Sequence, residues 1–174
     1  MRAFEAVRIR VGALVFCGEE LALLRRSRPD GDFYSTIGGN VEPGEDLRAA
    51  LWRELDEELG LAADQVVCLE PELIWVQDAM VPRPGPTPPP RKLHLHYRLH
   101  VTPAVRAMLA SEEYDLLPDG TRDLGRIEWI PYRRAATLPL FPPIGPALSA
   151  LVGPDAPAGR CELEPVTERT YTWR

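Results

Sequence analysis

The sequence predicts a single α/β domain, and three observations point to it. Leu47, Leu51, Leu55 and Leu59 recur every fourth residue, drawing one apolar stripe on a helix of about 3.6 residues per turn that needs a sheet to pack against. Leu93, Leu95, Tyr97, Leu99 and Val101 alternate strictly with His94, His96, Arg98 and His100, the period of a strand with two unlike faces. At 174 residues, 45% hydrophobic and 26% charged, the chain can fill one core and carries no compositional mark of disorder.

Taken in order, Val7 to Cys17 is apolar and β-branched, breaks at Gly18-Glu19-Glu20 and resumes from Leu21 to Leu24, a hairpin-like pair of strands closed by Arg25 and Arg26. Those two arginines read either as solvated strand ends or as phosphate or base contacts beside a cleft. Residues 27–32 read as a loop and 33–37 as a short strand, with Tyr34 either a core aromatic or a stacking surface for a ring. Pro43-Gly44 then turns the chain into the helix, Glu45 and Asp46 suit its positive N-terminus, and Gly60 is a left-handed stop.

Beyond the helix, 65–69 and 73–77 read as strands, and the proline-rich run 80–91 as a stiff surface loop. All three histidines fall on the polar face of the 93–101 strand. That face is either solvated or, in a sheet covered on both sides, the lining of a substrate cavity; no third nitrogen or sulfur ligand at suitable spacing supports zinc. Residues 103–110 are weakly helical, and 111–125 read as an acidic loop in which Glu112 and Glu113 could serve as a base. The strand 126–131 puts Glu128 opposite Ile127 and Trp129, and 161–173 suits an added edge strand or a dimer contact.

The chemistry concentrates on the helix. Glu54, Glu57 and Glu58 stand at i, i+3 and i+4, within an arc of roughly 100°, beside Leu51 and Leu55 at the edge of the buried stripe. A solvated acidic face is the ordinary meaning of such a run. Here like charges at helical neighbour spacing cost a few tenths of a kcal/mol per pair, and partial burial raises the cost. A divalent cation relieves it, and carboxylates suit Mg2+ or Mn2+. Gly38-Gly39 lets backbone approach a ligand closely.

Composition excludes several classes. A net charge of −6 lacks the basic field of a nucleic-acid polymer binder. Cys17, Cys68 and Cys161 form no CxxC pair, which argues against a disulfide framework and for a reducing compartment. Arg2, Glu5, Arg8 and Arg10 interrupt any signal-peptide core and no run has membrane-spanning length, so the expected location is the cytoplasm, away from the membrane.

The stretch Gly39, Glu45, Arg53, Glu54, Leu55, Glu57, Glu58, Gly60 and Leu61, at these spacings, resembles the signature box of the Nudix hydrolase family, MutT-like members included; it spans 23 of the 174 residues. The resemblance implies a mixed β-sheet sandwiched between helices, an α/β/α sandwich, over residues 1–152, with short helices at 132–136 and 145–152 and a tail from 153 to 174 outside the pattern. It implies magnesium-dependent hydrolysis of a nucleoside diphosphate linked to another moiety, a small-molecule nucleotide substrate. Glu54, Glu57 and Glu58 become metal ligands and Arg53 the residue that holds a carboxylate in place, while Gly38, Gly39 and Glu42 shape the loop over the metal and Glu45 braces it. The general base is Glu128, first by its Glu-Trp pairing, or Glu54, Glu112 or Glu113. Arg25, Arg26, Tyr34, Gly38, Gly39, His94, His96 and Phe141 are the substrate-binding candidates, Phe141 as the floor of a base pocket. A homodimer is the expected assembly. The rival reading is a sensor of this fold that binds nucleotide or ADP-ribose without cleaving it. Two departures stand out: Ile37 replaces the usual proline before Gly38-Gly39, and Gly145 replaces the amide side chain carried by relatives that cleanse oxidised guanine nucleotides.

Overall fold

The computed structural model describes residues 6–65, 70–81, 91–117 and 119–172. The long strands β1 (Val7–Cys17) and β5 (Arg91–His100) run parallel through its middle, register Val7 to Arg91 through Phe16 to His100. β4 (Glu72–Ala79) lies antiparallel on the outer side of β5. On the other side, β2 (Glu20–Arg28) returns from β1 and pairs along its length with β7 (Arg122–Pro131). β3 (Gly31–Ser35) follows β2, β6 (Glu112–Leu116) pairs with β7, and the short β8 (Leu140–Phe141) lies parallel to β3.

Alternation along the strands builds two cores. Val11, Ala13 and Val15 of β1, with Ala22 and Leu24 of β2, meet Leu51, Leu55 and Leu59 of α1 (Leu47–Leu59), all three leucines being fully buried. Leu14, Phe16, Leu21 and Leu23 face the opposite way, onto Trp75, onto Tyr132 of the 3-10 turn Tyr132–Thr137, and onto Ile144 and Leu148 at α3 (Gly145–Ala150). The mixed sheet is therefore covered on both faces, as the α/β/α expectation requires. A further short helix, α2 (Pro103–Arg106), follows β5. No helix among the described residues is long and apolar enough to cross a membrane.

The lower half of β1 does not pair with β2. It pairs with residues 37–41: the Ala13, Val11 and Val41 amides donate to the carbonyls of Ile37, Gly39 and Ile9 at 2.7, 3.0 and 3.0 Å. That contact sets the entry to α1, where Asp46 accepts from the Arg48 and Ala49 amides at 2.9 and 2.8 Å; Gly60, at φ 64°, closes the helix as the sequence predicts.

Several expectations need correction. β2 runs on through Arg25 and Arg26 to Arg28, and β3 begins at Gly31, so 27–32 is a tight hairpin and not a loop; Ser27 Oγ to Asp32 at 2.9 Å helps close it. Residues 111–125 are not a loop either, since β6 and β7 pair from Glu112 with Arg126 to Leu116 with Arg122. Their acids are neutralised across strands, Asp123 by Arg28 at 2.5 Å and Glu113 by Arg26, which is how an acid-rich segment tolerates a sheet. The strand expected at 65–69 is replaced at its start by a 3-10 turn, Ala63–Gln65; residues 66–69, most of the proline-rich loop and Trp173 lie outside the described residues.

The tail forms no strand of its own among the described residues. It lies along β4 with parallel bridges from Val76 to Glu162 and Ala79 to Val166, and Arg98 anchors its start through the Pro154 and Ala156 carbonyls at 2.9 and 2.6 Å.

Loss of the helix cap should be measurable: Asp46→Ala is expected to lower unfolding stability by about 1 kcal/mol in chemical denaturation, with the far-UV spectrum unchanged.

Candidate active site

Glu54, at 8% exposure, is carried to the edge of the α1 stripe and pressed under the 37–41 loop. A Cβ on Gly39 would stand 2.0 Å from Glu54 Oε1, so a side chain there would displace the Glu54 carboxylate from its place. Gly38 takes φ 130°, and a Cβ there would meet the Val11 carbonyl oxygen at 2.2 Å. Its amide donates to Glu58 Oε2 at 2.9 Å.

Arg53 ties these parts together. Its Nε and Nη2 donate to Glu45 at 2.8 and 3.1 Å, its Nη1 to Glu54 and Glu57 at 2.8 and 3.2 Å, and its Nη2 also to the Asn40 carbonyl at 3.0 Å. Glu45 in turn accepts from the Glu42 amide at 3.0 Å. The Arg53 bond holds the Glu45 carboxyl below its ordinary range, and Glu45 raises the guanidinium pKa. Burial acts the other way on the remaining acids. It raises Glu54 against the pull of Arg53, raises Glu113 despite Arg26, and pushes Glu58 up to about 8, with Glu113 and Glu54 adding repulsion.

A cavity of about 640 Å³ opens in front of these acids, lined by Glu54, Glu57 and Glu58 of α1, Glu112 to Leu116 of β6, and Arg122. Among the described residues no three His, Cys, Asp or Glu side chains are gathered closely enough to hold a metal ion as they stand, since Glu54 turns to Arg53 and Glu58 to the Gly38 amide. The donor set nevertheless suits a hard divalent cation: three carboxylates border one cavity, and burial holds Glu54 and Glu58 towards their protonated forms.

The other predicted residues go elsewhere. Glu128 shares the sheet face of Ile130, opposite Ile127 and Trp129, and accepts from Arg25 at 2.5 Å and from the Tyr34 hydroxyl at 3.2 Å; it does not line the acid cavity. Tyr34 is a core aromatic and not an open stacking surface. Arg25 and Arg26 are not solvated strand ends: Arg25 is paired with Asp32 and Glu128, Arg26 with Glu113, Asp115 and Asp123. His94 and His96 are buried at 4% and 0% exposure, their rings stacked 6.1 Å apart, and burial pushes their pKa down to about 2 and about 4. Phe141 meets His94 edge-on at 5.8 Å and the tail's Tyr171 at 5.2 Å. The polar face of β5 is thus not solvated: Phe141 stands against His94 with the tail's Tyr171 behind it, and the tail engages Arg98 and His100. Sequence reasoning missed Asp115 and Arg10 as neighbours of the acids; an arginine next to the apolar run of the first strand was the only signal for the second.

A sheet sandwiched between helices, with a glycine loop laid over a three-carboxylate helix, defines the class of fold and site to which comparison can be made. A family profile described as the NUDIX domain matches residues 6–151, and the chain belongs to that family. The NAD-capped RNA hydrolase NudC of Deinococcus radiodurans is 47% identical over 47 residues, 27% of this chain and 17% of that protein, so the chain spans less than a fifth of this curated relative. The solution structure of the E. coli ORF135 protein superposes with a TM-score of 0.51 at 25% identity, covering 83% of this chain and 88% of that one. The MutT protein of Bacillus halodurans gives 0.56 at 16% identity, over 92% and 88%, a likeness of fold.

The buried acid sets a pH dependence. Glu58 in the folded chain lies above its ordinary 4.5, so its stabilising contribution is complete below 4.5 and is lost as pH rises through about 8. In metal-free buffer, thermal melts of wild type are expected to fall relative to Glu58→Gln across that window. The lowered histidines act oppositely, losing stability as pH falls below 6.5, but they are common to both proteins and cancel in the difference.

Proposed function

We propose that the protein is a magnesium-dependent pyrophosphohydrolase acting on a nucleoside diphosphate linked to another moiety. The observation that supports this most directly is the meeting of Glu54, Glu57 and Glu58 with the acids of β6 around one cavity under the Gly38-Gly39 loop. Glu54, Glu57 and Glu58 would hold Mg2+, or Mn2+ in its place, and the ion would neutralise charge developing on phosphate oxygens. Arg53 acts on Glu54 and Glu57 as a positioning residue, fixing their carboxylates through a guanidinium already clamped by Glu45. Family membership, the cavity's size and its lack of a surrounding basic field favour a small nucleotide over a polymer.

Glu113 is the better general base. It lines the cavity with the three α1 acids, Arg26 fixes its orientation, and burial raises its pKa toward the working range of a base. In that role it takes the proton of the water that attacks phosphorus, as the phosphoanhydride P–O bond breaks and the leaving phosphate departs with the bond electrons. Glu128 faces the other side of the sheet, engaged by Arg25 and Tyr34. His94, His96 and Phe141 on that side are read as the region nearest the base, where the uncharged imidazoles each carry one donor and one acceptor.

A phosphate-release screen over nucleoside diphosphate derivatives with magnesium tests the reading. Wild type is expected to cleave one class and Glu57→Gln to cleave none, whereas silence of both with thermal stabilisation by one ligand would favour a binding module. Glu113→Gln is expected to lose roughly 10²- to 10⁴-fold in kcat while Glu128→Gln stays near wild type.

A further inference from the structure

Arg10 sits in β1 between the exposed Ile9 and the core residue Val11, beside His94 of β5 and opposite Asn40 of the glycine loop. Its side chain reaches across the loop, and Nη2 donates to the Gly38 carbonyl at 2.7 Å; the amide of the same glycine donates to Glu58 at 2.9 Å. The guanidinium therefore stands one residue from a cavity carboxylate. The charges that act on it come from three elements around the cavity, Glu58 and Glu54 of α1, Asp115 of β6 and Arg26 of β2.

It has nevertheless no carboxylate at ion-pair distance among the described residues, whereas Arg25, Arg26, Arg53 and Arg98 each have one. Arg10 is partly buried, and loss of water is the largest influence on it, enough to lower its pKa. A guanidinium carries five N–H donors in a planar fork, and one carbonyl does not satisfy it. A partly desolvated cation without a counter-ion is costly, and its geometry matches two oxygens of one phosphate.

We propose that Arg10 binds a phosphate group of the substrate beside Gly38, the residue that links it to Glu58 of the acid cavity. This rests on the hydrolase reading above and adds to it a cation that lies outside the signature box. The nucleotide's diphosphate then lies between the α1 acids, which take it through metal, and Arg10, which takes it directly. Neutral His94 beside Arg10 supplies no competing anion.

The test is calorimetric titration of inorganic pyrophosphate, in magnesium buffer, into wild type, Arg10→Met and Arg10→Lys, with KM and kcat measured on a substrate found by the screen. Arg10→Met is expected to weaken pyrophosphate binding and raise KM roughly ten- to hundredfold while kcat stays within a few fold. Arg10→Lys keeps the charge but not the fork, and should bind roughly threefold or more weaker than wild type. Unchanged pyrophosphate binding by a folded Arg10→Met overturns the proposal, and a loss confined to kcat would make Arg10 a brace for Gly38. Should Arg10→Met fail to fold, pyrophosphate binding by Arg10→Lys equal to wild type overturns it. Arg10-dependent pyrophosphate binding with no nucleotide cleaved would sink the hydrolase reading and leave this one standing; cleavage indifferent to Arg10 would do the reverse.

Discussion

Two carboxylates of α1 are held away from water beneath a loop that has no side chain where it crosses them. Gly39 must be bare for Glu54 to occupy its place, and Gly38 must take a left-handed backbone for its amide to reach Glu58. Burial costs these acids their easy ionisation, so the surroundings are organised around compensating charge. Arg53 supplies it from the helix, joined to the loop through Asn40 and Glu45, and Arg10 supplies it at longer range from β1. Pairing β1 with residues 37–41 in place of β2 is what brings these parts together, with β6 and Arg122 of β7 walling the cavity in front of α1.

What was legible in the sequence follows from the strength of local patterns. The leucine period gave α1 its bounds within a residue, since cap, stripe and stop agree at Asp46, Leu47 to Leu59 and Gly60. Strict alternation over 93–101 gave β5, which begins two residues earlier at Arg91 and ends at His100. The acidic segment 112–116 carries no strand signal in its own residues, because what makes it a strand lies elsewhere: Arg26 on β2 and Arg126 on β7 neutralise it. Arg26, read alone, was a solvated strand end or a phosphate contact, because its partners Glu113 and Asp115 lie 87 and 89 residues away in sequence.

The site divides along the same line. The carboxylates of α1 are fixed by spacing on one helix, so the sequence displays them; the base depends on which strand face turns toward them. A Glu-Trp pair favoured Glu128, but β7 turns that side chain to Arg25 and Tyr34 and lets its neighbour β6 bring Glu113 to the cavity. For the histidines the period placed the face correctly but could not say what covers it. Phe141, backed by Tyr171, meets His94, and the tail meets Arg98 and His100, held there also by the Gln77 amide donating to Glu164 O at 3.0 Å.

That tail bears on how the molecule meets its own kind. An uncovered outer strand offers a row of free amides and carbonyls that any extended segment can extend into a larger sheet. Here the outer side of β4 is engaged at Val76, Asp78 and Met80 by backbone bonds of 2.8 to 2.9 Å from 161–166, β8 is only two residues long, and β6 is guarded by Glu112, Glu113 and Asp115. Each of these rims is thus blunted by a different device, a strap, a stub or a row of acids paired with arginines of their own sheet. Each of them disfavours the addition of a further strand.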